Sequence, residues 1–230
     1  DLRVLKPASG FDLDDREALV AVLDHVVRDV ASLHTVTIGD QRWMAENLKV
    51  SHYNNGDPIP YVPVPGPWGQ LSTGAWAVYN NDASYEIFYG KLYNWYTVAD
   101  ARGVCPTGWH VPSDEEWMDL EVLLGVPLSD LNHNGTRGAA LDAGGKLKAN
   151  ELWSEPNTGA NDSTGFSAYP GGSCGPNSAG VNFGLKAHWW TTTSEDTTLV
   201  WSRALFHNNA GIYRMTALKV AGSSIRCIED

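Results

Sequence analysis

A chain of 230 residues that is 43% hydrophobic, with 10 Trp, 23 Gly and 12 Pro, has enough apolar mass for one large domain and enough turn formers to make it loop-rich. Its net charge of −11, without any Lys/Arg run, disfavours a phosphate-tracking or polybasic membrane surface, so nucleic acid is not an expected partner. No run of about 18 apolar residues is present, so membrane insertion is not expected either.

In chain order, residues 1–12 read as an irregular lead-in. The chain starts at Asp1 rather than Met, as a processed or truncated chain does, so the lack of a leader pattern says little about compartment. Asp12 or Asp14 caps an expected amphipathic helix over about 14–30, with Leu19, Val20, Val22, Leu23, Val26, Val27 and Val30 at helical spacing. We take 1–33 as an N-terminal extension whose broad apolar helix face is a possible oligomer contact, and 34–230 as the main domain. HTVTIGDQRWMAENL alternates around Gly39-Asp40 and predicts a hairpin. Prolines at 58, 60, 63, 65 and 67 exclude a helix or central strand there, which leaves a long ordered loop held by Tyr61, Trp68 and Trp76. IFYGKLYNWYTVAD (87–100) reads as a strand or short helix. Ser113 with Glu116 forms a capping box, and Trp117, Leu120, Val122, Leu123 and Leu124 are the expected buried face of the helix that Gly125 ends. Residues 151–186 read as loop. Strands are expected at about 187–193, 199–207, 212–218 and 223–228. Helices early and strands late predict an α+β fold.

Three cysteines are too few for a disulfide scaffold and lack metal-site spacing. Cys105 and Cys227 are candidates for one bridge in an oxidising setting; three buried or inert thiols are the alternative.

VTIGDQRWMAENLK, YGKLYNWYTVADARGVCPTGWHVPSDEEW, GGKLKA followed by Trp153, NDSTGFSAYPGGS, WWTTTSE and SSIRCIED together resemble the Fibrobacter succinogenes major paralogous domain, over roughly Val36 to Asp230. The resemblance implies a C-type lectin-like fold: a small twisted antiparallel sheet, two or more helices, long ordered loops and chain ends close together. It implies an extracellular, cell-surface or virion-surface setting, and it favours the Cys105–Cys227 bridge, because the 113–124 helix would lie near the terminal strand. Such domains also serve as variable proteins of diversity-generating retroelements, in which the C-terminal stretch is rewritten at template adenines. Rewritten Asn codons reach Ser, Ala, Phe, His, Tyr, Thr, Leu and Val; Met215 requires a different adenine-bearing codon.

The expected function is therefore non-enzymatic ligand binding of the receptor or adhesin type, with a protein or other macromolecular ligand on a target surface. The candidate contact residues are Ser202, Ala204, Phe206, His207 and Tyr213, then Met215, Thr216, Ala217, Leu218 and Val220. Trp189, Trp190, Trp201, Arg203, Leu205, Arg214, Ile225, Arg226 and Cys227 are the expected frame. A four-residue loop at Asn208–Gly211 would set Phe206 opposite Tyr213 and Ala204 opposite Met215. Alternation then gives one face with Ser202, Ala204, Phe206, Tyr213, Met215 and Ala217, and the other with Arg203, Leu205, His207, Ile212, Arg214 and Thr216. The first face suits adaptable contact. The alternative puts that face in the core and the arginines outside.

The lectin-like fold is shared with formylglycine-generating enzymes, so catalysis is weighed. Cys174 has no basic neighbour in sequence, and Cys105 near His110 is better explained by the bridge. Glu115, Glu116 and Asp119 read as helix-end charges. No cofactor is expected. Calcium is the one possibility: Asp130-Leu-Asn132-His-Asn134-Gly135 matches half of a calcium loop, but Leu141 occupies the position of the bidentate Glu, with Asp142 beside it. Glu155-Pro156-Asn157 occurs in sugar-binding lectins, so a calcium-dependent carbohydrate module using Glu155, Asn157 or the Asp130 loop is the alternative function.

Overall fold

In a computed structural model that describes residues 34–230, the domain begins with the expected hairpin. Strands β1 (Thr35–Ile38) and β2 (Gln41–Met44) pair antiparallel across Gly39-Asp40, with Ile38 opposite Gln41. Gly39 has φ 65°, and a Cβ there would come within 2.6 Å of the Leu123 side chain, so this turn requires glycine. The helix expected over 14–30 lies outside the described residues.

The proline-rich segment is an ordered loop. A 3₁₀ turn at Pro67–Gln70 buries Trp68 against Val64, Ala75, Leu92 and Cys174. Tyr61 packs on Trp76 at 4.7 Å between ring centroids, and Trp76 Nε1 donates to the Ile59 carbonyl at 2.8 Å. β3 (Trp76–Ala77) pairs with β4 (Leu92–Tyr93). The aromatic stretch expected as one strand or one helix is instead divided. α1 (Glu86–Tyr89), β4 and α2 (Trp95–Val98) follow one another, broken at Gly90 with φ 70° and at Asn94, whose side chain caps α2.

α3 (Asp114–Leu123) carries the full capping box: Ser113 Oγ accepts from Glu116 N, and Glu116 Oε2 accepts from Ser113 N. Its buried face differs from the expected one. Trp117, Leu120 and the following Leu124 are buried, but Val122 and Leu123 are 39% and 46% exposed. Asp114 and Glu121 are buried in their place, because 114, 117, 121 and 124 share one side of a 3.6-residue helix and that side meets arginines.

β5 (Trp109–His110) precedes α3, and β12 (Ile228–Glu229) lies between β2 and β5, with Ile228 opposite both Trp43 and His110. The chain thus returns to the sheet it entered by. Cys105 and Cys227, just ahead of these two strands, are disulfide-bonded; Cys174 is free and buried.

The second four-stranded sheet is antiparallel, in the order β6 (Gly135–Arg137), β11 (Ile212–Leu218), β10 (Leu199–Phe206), β9 (Lys186–Ser194). Between it and α3 lies the main core of Trp43, Trp117, Leu120, Leu147, Phe166, Trp189, Leu205 and Ile212. A small hairpin, β7 (Ser173–Gly175) with β8 (Ser178–Val181), interrupts the expected 151–186 loop. The strand expected at 223–228 is only Ile228–Glu229. Ser223 and Ser224 instead form single bridges to Tyr93 and Trp189. Helices and several small antiparallel sheets make the fold α+β. Among the described residues, no helix is long and apolar enough to cross a membrane.

Candidate functional site

The β10–β11 hairpin pairs Ser202 with Met215, Arg203 with Arg214 and Ala204 with Tyr213. This is two residues away from the expected register, so Phe206 is not opposite Tyr213. A shift of two preserves alternation, and the two faces keep their expected members. Within the turn, Asn209 N donates to the Phe206 carbonyl and Gly211 N to Asn209 Oδ1, and several other polar groups of the turn bond outside the hairpin. Gly144 N and Gly145 N donate to the Ala210 carbonyl, Thr158 N donates to the His207 carbonyl, and Lys148 Nζ donates to the carbonyls of Thr158, Phe206 and Asn209. Gly144 lies so close to the turn that a Cβ there would run into the Gly211 carbonyl.

The arginine face is the inner one, which excludes the alternative of outward arginines. Arg203 Nη1 meets Asp114 Oδ1 at 2.5 Å and its Nε meets Glu121 Oε1 at 2.6 Å. Arg214 Nη2 reaches Asp114 Oδ2 at 2.7 Å, and its guanidinium lies 3.4 Å from the centroid of the Trp201 ring. Arg137 Nε bonds Glu121. Burial pushes Asp114 up, but the guanidinium groups of Arg214 and Arg203 outweigh it and hold the carboxyl below its usual range. Removing one member of such a set leaves a buried charge without its partner, at a cost of about 3–5 kcal/mol. Arg226, also buried, is held by Asn47 Oδ1 at 2.8 Å and the Phe166 carbonyl, beneath the Phe166 ring; burial lowers it to about 9. Trp189, Trp190, Trp201, Leu205, Ile225 and Cys227 are buried as well.

On the outer face, Phe206 and Tyr213 are half-buried and meet edge-to-face at 4.7 Å, with half-buried Met215 and Ala217 continuing the row along β11. Leu218 is exposed and Val220 half-buried just beyond it. Ser202 and Ala204 depart from expectation, since neither has exposed surface. Ala204 sits between His188 and Tyr213 in the sheet. Ser202 Oγ donates to the Met215 carbonyl at 3.0 Å and accepts from His188 Nε2 at 3.0 Å. His188 Nδ1 then accepts the Ser223 hydroxyl at 2.9 Å, which makes His188 a neutral, fully bonded imidazole. His207 lies in the turn, its Nδ1 2.9 Å from the Glu155 carbonyl, and Thr216 lies opposite Trp201 on the inner side. Neither belongs to the Phe206–Tyr213 row.

The residues weighed for other chemistry are placed elsewhere. Burial pushes the Cys174 thiol up to about 12, which makes it a poor nucleophile near neutral pH. In the Asp130 loop, the Asn132 carbonyl and Asn134 Oδ1 accept from Arg214 Nη1 at 3.4 and 3.2 Å. Glu155 is exposed, and among the described residues Asn157 Oδ1 is buried without a hydrogen-bond partner. Among the described residues, no group of three His, Cys, Asp or Glu side chains is arranged to hold a metal ion. Buried charges such as Asp114, Glu121 and Lys148 gave no sequence signal of their own; the nearest hint was the cluster of arginines on one face of the expected hairpin.

The family model described as Fibrobacter succinogenes major domain matches residues 36–229. No curated protein and no solved structure matches the chain.

Proposed function

We propose, from the premise that the chain belongs to the Fibrobacter succinogenes major domain family, that it is a non-enzymatic ligand-binding domain of the receptor or adhesin type. Its contact surface is the outer face of the β10–β11 hairpin, centred on Phe206, Tyr213 and Met215. One observation carries the reading: a half-exposed row of two aromatic rings and a Met lies on a sheet whose opposite face is fixed by buried ion pairs. Rigid rings give contact area at small entropic cost, and Met adapts to a partner's shape.

The scaffold is read as C-type lectin-like, and its disulfide fits an oxidising compartment such as a cell or virion surface. Retroelement diversification is part of the proposal only for the accessible positions Phe206, Tyr213, Met215, Ala217, Leu218 and Val220. Rewriting Ser202 would leave buried His188 without its partner. A reverse transcriptase gene beside an adenine-rich near-copy of the DNA encoding 189–228 would establish it, and its absence would remove it.

The face is tested by panning a random peptide library on the immobilised protein, then rebinding the enriched peptides to a Tyr213→Asp/Met215→Asp variant of unchanged melting temperature. Loss of most of these peptides is the expected outcome; undiminished binding overturns the assignment. The carbohydrate reading has one observation behind it, the unbonded Asn157 Oδ1. Glycan capture that a chelator abolishes would put it in place of the first.

A further inference from the structure

An ammonium taken out of water needs an oxygen partner, or its charge becomes costly. Five of the six described lysines have one. Lys49 and Lys91 bond Glu46 and Glu86. Lys146 and Lys219 bond the carbonyls of Leu124 and Asp196, and Lys148 bonds three carbonyls. Lys186 differs. It is only 7% exposed, and among the described residues no hydrogen bond or ion pair reaches its Nζ, which lies 5.7 Å from the centroid of the Phe206 ring.

Lys186 is the first residue of β9 and lies opposite Phe206, so it shares the outer face with Phe206 and, across Ala204, with Tyr213. Its next neighbour on that face, His188, is neutral and already bonded on both nitrogens. Burial lowers the Lys186 amine to about 8, so near pH 7 it remains mostly ammonium, a charge inside an apolar rim.

We propose that Lys186 is an anion subsite at the edge of the Phe206–Tyr213–Met215 face, and that the group it takes is the side-chain carboxylate of a protein ligand, flanked by an aromatic residue that packs on Phe206 and Tyr213. This deepens the reading of that face as a contact surface and rests on it. The charge arithmetic favours a single carboxylate. Arg203 and Arg214 point to the inner side and are bonded to Asp114 and Glu121, so the ammonium acts alone. The net charge of −11 repels polyanions. The apolar groups beside Lys186 form a row along two strands, which suits neighbouring residues of a chain more than a free small acid.

The test follows the lysine side-chain NMR signals of the ¹³C-labelled protein through a pH titration, alone and with the peptide acetyl-Phe-Glu-Phe-amide or its Gln counterpart. The expected result is a free Lys186 titrating near 8 that rises by about one unit with the Glu peptide only, a tenfold preference for the charged form. Lys186→Met is expected to weaken the Glu peptide about tenfold while binding the Gln peptide as the wild type does. The wild-type titration needs no substitution and stands even if that variant misfolds. Equal responses to the two peptides, an unmoved Lys186 signal, or wild-type affinity in Lys186→Met overturns the proposal. N-acetyl-phenylalaninate acting as strongly as the Glu peptide overturns the protein side chain as the source. If the panned peptides are lost from the Tyr213→Asp/Met215→Asp variant while Lys186 stays silent, the subsite fails alone. If that variant retains them, the face fails and the subsite with it.

Discussion

His188 lies between two serines in a part of the sheet that water does not reach. Burial holds its imidazole well below 6.5, with the nearby Lys186 charge adding to the effect. A His whose folded pKa is depressed stays neutral in the folded state, while the unfolded chain takes up a proton below about 6.5, so acid favours unfolding. Between about pH 7.5 and about pH 5.5, the unfolding free energy of the wild type is expected to fall by roughly 1.4 kcal/mol more than that of His188→Gln. Urea melts at the two pH values measure this, and parallel slopes for the two proteins would remove the neutral His188. The same scale shows what a sequence hides. Alternation put Arg203 and Arg214 on one face, but their partner Asp114 lies 89 and 100 residues earlier in the chain. Nothing local distinguishes a carboxylate that meets arginines in the core from one that serves the helix dipole. Lys186 was equally invisible, because its isolation depends on what the rest of the fold fails to bring near it.

Among the elements, α3 was the most legible, since both members of its capping box lie within four consecutive residues. Ser113→Ala removes the acceptor of the Glu116 amide and is expected to cost about 1 kcal/mol, read as a lower urea midpoint at unchanged slope. No change in midpoint would show that the cap contributes nothing. The buried stripe of α3 departs from hydrophobicity at Val122 and Leu123, because the partners across the core are cationic and draw Asp114 and Glu121 inward. The β10–β11 hairpin was legible in parity but not in register. Side-chain alternation has period two, so an error of two residues leaves each face intact. Beside its local Asn209 bonds, the turn is held by Gly144, Gly145, Lys148 and Thr158, remote groups that no local turn rule includes. The six stretches that carry the resemblance to the family located the scaffold; which contact residues lie at the surface came only with the packing, and it separated Phe206, Tyr213 and Met215 from Ser202 and Ala204.

Across the described domain, its two ends meet in one sheet: β1 and β2 at its start, β12 at its finish, and the Cys105–Cys227 bond beside β5. That bond spans 122 residues and encloses α3 and the β6–β11–β10–β9 sheet. Under tension applied through residues 34 and 230, the bond carries the load past everything inside the ring. The segment that holds the proposed contact face therefore adds no length to the extended chain while the bond is intact. In single-molecule pulling, the oxidised protein is expected to stretch roughly 400 Å less than the reduced one, at about 3.4 Å per residue. Equal extensions would show that force does reach the ring. The covalent link thus acts as a mechanical bypass, and a ligand held on the hairpin stays on a sheet that pulling on residues 34 and 230 cannot unravel.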